Sequence, residues 1–178
     1  FIATKPSYNS AIGMLKCAIV GTGGMANVHA TQLSNINDVK VTCACDIDSD
    51  RVKSFAEKHH IPHTFTDYEE MLKTGDFDAI SVVTPDSTHA PLSLKAIAAG
   101  KHVLCEKPLA TNAADAMAMA SAAKKAGVIN MVNFSYRNSS AWQRACEIIR
   151  NGDLGRIYHF QAHYLQSWLT SADWGDWK

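Results

Sequence analysis

The stretch KCAIVGTGGMA, residues 16–26, decides the fold of this chain. Its short apolar run leads into a glycine-rich turn of the form Gly21-x-Gly23-x-x-Ala26. A second apolar run covers residues 39–45, and Asp46 stands at its end, twenty residues after Ala26. A strand, a glycine turn that opens a helix, and an acidic residue at this distance form the fingerprint of a dinucleotide-binding unit. The sequence therefore predicts such a unit at the front of the chain.

Each small residue in the turn has a physical role. Gly21 permits the tight turn, and Gly23 lets the backbone come close to a pyrophosphate. Ala26 allows the helix to pack closely on the strand. The free N–H groups at the start of the helix, around Gly24 and Met25, would face the phosphates. The alternative is a tight strand–helix turn that binds nothing.

Asp46 indicates which coenzyme the turn would hold. Its carboxylate can accept hydrogen bonds from both ribose hydroxyls of NAD, and it would repel the 2′-phosphate of NADP. We therefore expect NAD as the cofactor, with Asp46 and the adjacent Ile47 among the binding residues. NADP would be favoured instead if Arg51 or Lys53 reached the phosphate.

Length and composition limit the class of protein. The 178 residues are enough for one domain and part of another. The formal net charge is zero, which gives the chain no overall basic charge for binding nucleic acid. No apolar run approaches the roughly twenty residues that span a bilayer. We expect a small-molecule partner, no nucleic-acid partner and no membrane segment.

The cysteines and histidines do not favour a metal site. The five cysteines fall mostly in predicted strands or on an apolar helix face, and no CxxC pair occurs. We expect buried, reduced thiols and hence a cytoplasmic protein. The cluster His59-His60-Ile-Pro-His63 is the alternative, but its first two histidines are better placed to close a helix. We therefore expect no bound metal.

Strands and helices alternate along residues 15–133. The continuous apolar run at residues 79–83 is typical of a strand covered on both faces of a parallel sheet. Right-handed crossovers would make this series a doubly wound parallel α/β sheet of the Rossmann type. Three helix starts are marked by a capping box Thr66-x-x-Glu69, by Pro91 and by Thr111. The expected strands are residues 16–20, 39–45, 63–65, 79–83, 102–105 and 128–133, and the expected helices are residues 25–34, 49–59, 66–72, 91–100 and 111–126.

The pattern changes after Asn133. Trp142 and Ile149 lie on one face of an expected helix. Apolar and polar residues alternate over residues 156–166, which predicts a half-covered antiparallel strand of a different sheet. One such strand needs partners to satisfy its backbone. We therefore expect residues 134–178 to be the incomplete beginning of an α+β second domain.

The two ends of the chain carry weaker signals. Residues 1–14 show no clear secretory signature, and we interpret them as an N-terminal extension or a cloning remnant. The tail contains Trp168, Trp174 and Trp177. These are more typical of a sheet core or an interface than of a sugar-binding pocket.

Two more groups of residues follow predicted strands. Thr84, Pro85 and His89 come after the fourth strand, and Glu106-Lys107-Pro108 comes after the fifth. Because doubly wound sheets bind ligands at the carboxyl ends of their strands, we expect the first group to contact the coenzyme. The alternative for the first group is a turn and a helix start. For the second it is a solvated charge pair.

With these motifs the chain resembles the Gfo/Idh/MocA oxidoreductase family, the relatives of glucose–fructose oxidoreductase and inositol dehydrogenase. The resemblance covers nearly everything from Leu15 onward. The matching features are Gly21-x-Gly23-x-x-Ala26, Asp46, Thr-Pro-x-x-x-His89, Ala99-Gly-Lys-His-Val-Leu-Cys-Glu-Lys-Pro108, Asn133-Phe-Ser-Tyr-Arg137 and Gly152-x-Leu-Gly155-x-Ile157.

The resemblance implies an NAD-dependent oxidoreductase that acts on a polyol, a sugar or a related alcohol. Lys107 would be its catalytic residue and would hydrogen-bond the substrate hydroxyl that loses hydride. Glu106 would contact the coenzyme ribose or orient Lys107, and Pro108 would fix the turn. Asn133 and Arg137 are further candidate coenzyme contacts.

The chain departs from the family's sequence pattern at one point. The family's general base, an Asp-x-x-x-His pair in its second domain, has no counterpart after Gly155. Two alternatives therefore remain, a non-catalytic NAD(P)-binding regulator and an NAD-dependent glycosidase. The full-length protein is expected to be a homo-oligomer.

Overall fold

The computed structural model describes residues 13–165 and residue 167, and the chain divides into two units, residues 1–133 and residues 134–178. In the first unit, strands and helices alternate as the sequence predicts. Its elements in chain order are β1 (Leu15–Val20), α1 (Gly24–Ser34), β2 (Val39–Cys45), α2 (Ser49–His59), β3 (His63–Phe65), α3 (Tyr68–Thr74), β4 (Ala79–Val82), α4 (Asp86–Ala98), β5 (His102–Cys105), α5 (Ala113–Ala126) and β6 (Asn130–Val132).

The six strands form one parallel sheet in the order β3-β2-β1-β4-β5-β6. This is the doubly wound Rossmann arrangement, which confirms the predicted fold class. The chain moves outward from β1 to β3 and then returns to β4, which pairs with the other side of β1. The strand order therefore reverses between β1 and β4. Ligands bind at this switch point in open parallel sheets, outside the carboxyl ends of the strands.

The sheet is covered by helices on both faces. Along β1, Ala18 and Val20 face a core that includes side chains of α3, α4 and α5. Ile19 faces the opposite core, which includes Ala26 of α1 and Phe55 of α2. Successive side chains of a strand point to opposite faces, so an apolar run such as β1 supplies both cores at once.

Two predicted helix caps are one residue out of place. The Thr66 capping box is wrong, because the side chain of Asp67 accepts a hydrogen bond from Glu70 N and starts α3 at Tyr68. Asn112, and not Thr111, caps α5 by accepting from Asp115 N at 2.9 Å. Where two capping residues are adjacent, tertiary packing decides which of them adopts the extended backbone of the cap.

The predicted start of α4 at Pro91 is also wrong. The helix begins five residues earlier, at Asp86, and Pro91 lies inside it. Its first turn is closed upstream of the proline, because Thr88 donates both its N–H and its hydroxyl to Pro85 O, at 2.9 and 2.7 Å. A proline lacks an N–H and its ring crowds the carbonyl four residues earlier, so the helix continues through Pro91 at a cost in stability.

Four of the five thiols are buried, as predicted, and Cys146 is half-buried. All five cysteines are free, and Cys17, Cys43, Cys45 and Cys105 lie in the sheet core. Burial raises the pKa of Cys17 to about 11 and that of Cys45 to about 12. Such thiols are unreactive at neutral pH.

The first two histidines of the cluster lie at the end of a helix, as predicted. His59 is the last residue of α2, and His60 ends the helix in the left-handed conformation, with φ of 55°. Among the described residues, no group of three or more His, Cys, Asp or Glu is arranged to hold a metal ion.

Within the part of the chain that the structure describes, every helix is too short or too polar to cross a membrane.

The second unit contains a 3₁₀ helix, Ser135–Asn138, and the helix α6, Ser140–Arg150. The strand predicted over residues 156–166 is wrong for residues 156–165, which form no strand, and Tyr158 and Phe160 are exposed. A lone strand leaves its backbone groups unpaired, and the described part of this unit offers no second strand. Gln166 and the three tail tryptophans lie outside the described residues.

Candidate functional site

The glycine turn after β1 lies against the end of β2 and against the loop after β4. Gly21 has φ of +83°, a region that residues with a side chain rarely adopt, and its N–H donates to Cys45 O at 2.9 Å. A Cβ at this position would lie only 2.5 Å from Val83 O and 2.9 Å from Thr84 Cγ2. Gly21 is therefore needed both for the turn and for the close approach of the loop after β4.

Gly23 and Gly24 have a different environment. A Cβ added to either would meet nothing within 4 Å, so the start of α1 borders open space. Gly23 caps this helix without a side-chain hydrogen bond, and its first turn has no acidic residue. The first N–H groups of α1 and the positive end of its dipole are thus free for an anion, and the open cradle fits a pyrophosphate.

Asp46, at the end of β2, points back at this turn. Its Oδ2 accepts from both the N–H and the hydroxyl of Thr22 at 2.8 Å, and its Oδ1 accepts from Asp48 N at 3.1 Å. Arg51 Nη1 lies 3.5 Å from Oδ1. Burial raises the pKa of Asp46, but the hydrogen bonds from Thr22 and Asp48 and the charge of Arg51 outweigh it and lower the pKa below its ordinary value. The group is an anion that keeps part of its accepting capacity on Oδ1.

An open polar cleft of about 530 Å³ lies beside Asp46, between α1 and α2. Thr22, Asp48, Arg51 and Lys58 contribute to its walls, so both signs of charge are present. Ile47, which is 94% exposed, follows Asp46 directly and offers an apolar surface. These residues fit the adenosine half of a dinucleotide, with hydroxyls for the carboxylate and an apolar contact for the base.

His89 ties two loops together. Its Nε2 lies 2.8 Å from Thr84 O and its Nδ1 lies 2.6 Å from Pro108 O. The side chain is buried, with 1% of the residue exposed. We expected a direct coenzyme contact from His89, whereas both of its ring nitrogens are engaged by backbone carbonyls. Thr84 itself is half-buried, and its hydroxyl lies 2.7 Å from the hydroxyl of Thr88.

Glu106, the last residue before Lys107, is also buried and has three hydrogen-bond partners. Its Oε1 lies 2.8 Å from His29 Nε2 and accepts from Asn133 Nδ2 at 2.6 Å. Its Oε2 accepts from the backbone N–H of Lys107 at 3.0 Å. Burial raises the pKa of Glu106, but its bonds with Asn133, His29 and Lys107 N–H outweigh this and lower the pKa. The carboxylate therefore stays ionised and holds the first peptide of the Lys107 loop.

The Lys107 loop leaves β5 at the switch-point edge of the sheet. Lys107 and Pro108 are exposed, and the peptide bond between them is cis. β5 is separated from β1 only by β4 in the sheet order. The glycine turn and the Lys107 loop thus both lie at the carboxyl ends of the strands, one on each side of the loop after β4.

Sequence reasoning missed three residues of this site: Thr22, His29 and Ser81. His29 follows Ala26 by three positions on α1, and both are buried, so a histidine on the apolar face of the helix was the available signal. Its Nδ1 lies 2.7 Å from the hydroxyl of Ser81 in β4. Arg137 lies in the 3₁₀ helix of the second unit, and its role stays a prediction.

The family model described as an oxidoreductase family with an NAD-binding Rossmann fold matches residues 15–134. The myo-inositol 2-dehydrogenase of Thermotoga maritima is 31% identical over 159 residues, which cover 89% of this chain and 46% of the relative.

Two solved structures share the fold. The myo-inositol 2-dehydrogenase of Lactobacillus plantarum has a TM-score of 0.74 and 34% identity, covering 80% of this chain and 43% of its own. The WlbA dehydrogenase of Bordetella pertussis, solved with NADH and UDP-GlcNAcA, has a TM-score of 0.76 and 28% identity, with coverages of 81% and 44%. The chain spans less than half the length of these three relatives. From the family match over most of the first unit, together with the switch-point site, the chain belongs to the Gfo/Idh/MocA family of oxidoreductases with an NAD-binding Rossmann fold.

Proposed function

We propose that the whole protein is an NAD-dependent dehydrogenase of a polyol, a sugar or a related alcohol, and that this chain supplies its coenzyme site. The observation that carries the proposal is the shared edge of the sheet, where the open start of α1 and the Lys107 loop flank the loop after β4. The relatives described above as myo-inositol dehydrogenases support the substrate class.

The coenzyme would lie along this edge. Gly23, Gly24 and Met25 would receive its pyrophosphate at the start of α1, and Asp46 with Ile47 would bind the adenosine ribose and base. The loop after β4, with Thr84 and Pro85, would pass under the middle of the ligand. We assign His89 to holding that loop, and Asn133 to holding Glu106, so both would act on the coenzyme through the backbone. Arg137 remains a candidate contact.

Lys107 would act at the reacting end. When bound, NAD supplies the acceptor for the hydride. The ammonium of Lys107 would hydrogen-bond the substrate oxygen and stabilise the negative charge that develops on it as the C–H bond breaks. A base from the rest of the protein would take the hydroxyl proton. Glu106, fixed as an anion behind Lys107 N–H, would hold the loop in place while the lysine side chain acts.

The direct experiment is Lys107→Ala in the full-length protein, with Lys125→Ala, at an exposed position on α5, as the control. We expect turnover of myo-inositol, followed as NADH, to fall by about 10²-fold or more in K107A, with the Kd for NAD changed less than threefold. Turnover within a few-fold of wild type would contradict the assignment of Lys107.

Two other outcomes identify the alternatives. NAD binding without NADH formation from any polyol would favour a regulator, since a fold alone does not fix a function. Cleavage of a glycoside with no NADH released at steady state would favour a glycosidase that oxidises and reduces its substrate in one cycle.

Compartment and assembly belong to the same proposal. The buried free thiols favour a reducing compartment, and we propose the cytoplasm.

We also propose a homo-oligomer for the full-length protein, because the second unit exposes large apolar side chains such as Trp142 and Phe160. Analytical ultracentrifugation of that protein tests the assembly, and a monomer at micromolar concentration would contradict it.

A further inference from the structure

A buried polar cluster links four elements of the first unit behind the Lys107 loop. His29 lies on α1 and Ser81 on β4, while Glu106 and Asn133 are the residues that follow β5 and β6. The side chains of His29 and Glu106 are only 4% and 8% exposed. Buried polar groups without partners are costly, so a cluster in which each member has a partner holds its members in one arrangement.

The positions of the protons in this cluster follow from its chemistry. Glu106 is ionised, so its Oε1 can only accept, and His29 Nε2 at 2.8 Å must carry a proton. His29 Nδ1 lies 2.7 Å from the hydroxyl of Ser81, which holds the other side of the ring. Asn133 Nδ2 donates to the same Oε1 at 2.6 Å. Two donors thus fix one oxygen of Glu106.

The other oxygen of Glu106, Oε2, binds the Lys107 loop. Oε2 accepts from Lys107 N at 3.0 Å. A carboxylate that is held at one oxygen by two donors cannot rotate away from this peptide without breaking charge-assisted hydrogen bonds inside the protein. His29 also belongs to α1, whose open start is the proposed pyrophosphate site. The cluster therefore connects the helix that would bind the coenzyme with the loop that carries Lys107.

We propose that His29 is a positioning residue for Lys107, because its hydrogen bond to Glu106 Oε1 keeps Oε2 on the backbone N–H of Lys107. It touches neither coenzyme nor substrate, and it acts through Glu106. Its effect on turnover rests on the proposed function, whereas its effect on the loop does not.

The first test is hydrogen–deuterium exchange at the Lys107 amide in the full-length protein. Pro108 has no N–H, so fragmentation of the peptide that contains it isolates the Lys107 signal from its C-terminal neighbour. We expect this amide to be protected in the wild type and to exchange about tenfold faster or more in His29→Leu, which keeps volume but has no donor. His29→Gln retains a donor and is expected to lie between the two. His63→Leu, at an exposed position on β3, is the control and should match the wild type.

A merely structural role for His29 predicts a different pattern. It would speed exchange across the sheet, including the amides of β1 and β4, and would weaken NAD binding. We expect those amides to exchange within twofold of the wild type and the Kd for NAD to stay within threefold. With myo-inositol as the probe, we expect kcat to fall about tenfold in H29L.

The outcomes separate the two proposals. A Lys107 amide in H29L that exchanges within twofold of the wild type overturns the positioning role. If H29L does not fold, a wild-type Lys107 amide that exchanges as fast as an unprotected one overturns it as well. A wild type that binds NAD but forms no NADH from polyols overturns the proposed function, while the exchange contrast still decides the role of His29.

Discussion

Thr22 donates both its N–H and its hydroxyl to one oxygen of Asp46, each at 2.8 Å. The two residues are buried at the ends of adjacent strands, β1 and β2. The glycine turn and the acidic residue of the fingerprint are therefore physically coupled. The acid that faces the ribose is aligned by the turn that faces the phosphates.

The Thr22–Asp46 pair predicts a pH-dependent stability difference. The folded pKa of Asp46 lies below its unfolded value near 3.8, so the stability it adds is present above that value and is lost as pH falls through the folded pKa. Thr22→Val removes the hydroxyl and should destabilise by about 1–2 kcal/mol at pH 7. The difference should shrink below about pH 4, as measured by urea unfolding across pH. A difference that stays constant down to pH 2 would show that the bond to the anion is not its cause.

Asp46 also predicts coenzyme choice. Asp46→Asn keeps the shape but removes the charge that would repel a 2′-phosphate. We expect NAD affinity to fall about tenfold and the preference for NAD over NADP to shrink by a similar factor. Calorimetric titration with both coenzymes at equal ionic strength measures this. Tighter binding of NADP by the wild type would refute the assignment, with Arg51, only 3.5 Å from Asp46, as the residue to examine next.

The glycines predict two opposite phenotypes. Gly21→Ala forces a Cβ to within 2.5 Å of Val83 O at a positive φ, and we expect a loss of more than about 2 kcal/mol or no folded protein. Gly23→Ala meets open space, so its unfolding free energy should change by less than about 1 kcal/mol. NAD affinity should nevertheless fall in G23A, because its methyl group projects into the proposed pyrophosphate cradle. Equal NAD affinity in G23A and wild type would show that the coenzyme does not bind at this turn.

The bridging position of His89 predicts a purely structural cost. His89→Leu removes the imidazole that lies between Thr84 O and Pro108 O, and we expect a loss of about 1–3 kcal/mol in urea unfolding. His63→Leu, exposed on the same unit, should cost less than about 0.5 kcal/mol. If His89 contacts the coenzyme directly, its loss should instead weaken NAD binding with unchanged stability.

The fold could be predicted because it depends on local patterns. Sequence patterns predicted β2, α2, β3 and β5 at their observed bounds, and the glycine turn with Asp46 located the switch point. The strand over residues 156–165 could not be predicted correctly, because alternation marks a strand only where a neighbouring strand pairs with it.

The interior of the site depends on topology, which local patterns do not contain. His29 and Glu106 are 77 residues apart and meet only because β4 and β5 follow β1 in the sheet. The same holds for His89, whose partner Pro108 follows a different strand. A polar residue on the apolar face of a helix indicates that a buried partner exists, but not which residue it is.

The most direct test of the account is the position of NAD in a crystal structure of the full-length protein with the coenzyme and myo-inositol. We expect the pyrophosphate on the first N–H groups of α1 and the nicotinamide at the Lys107 loop, with Lys107 Nζ about 3 Å from the oxygen of the reacting carbon. A pyrophosphate bound elsewhere, or a Lys107 side chain directed away from the nicotinamide, would contradict it.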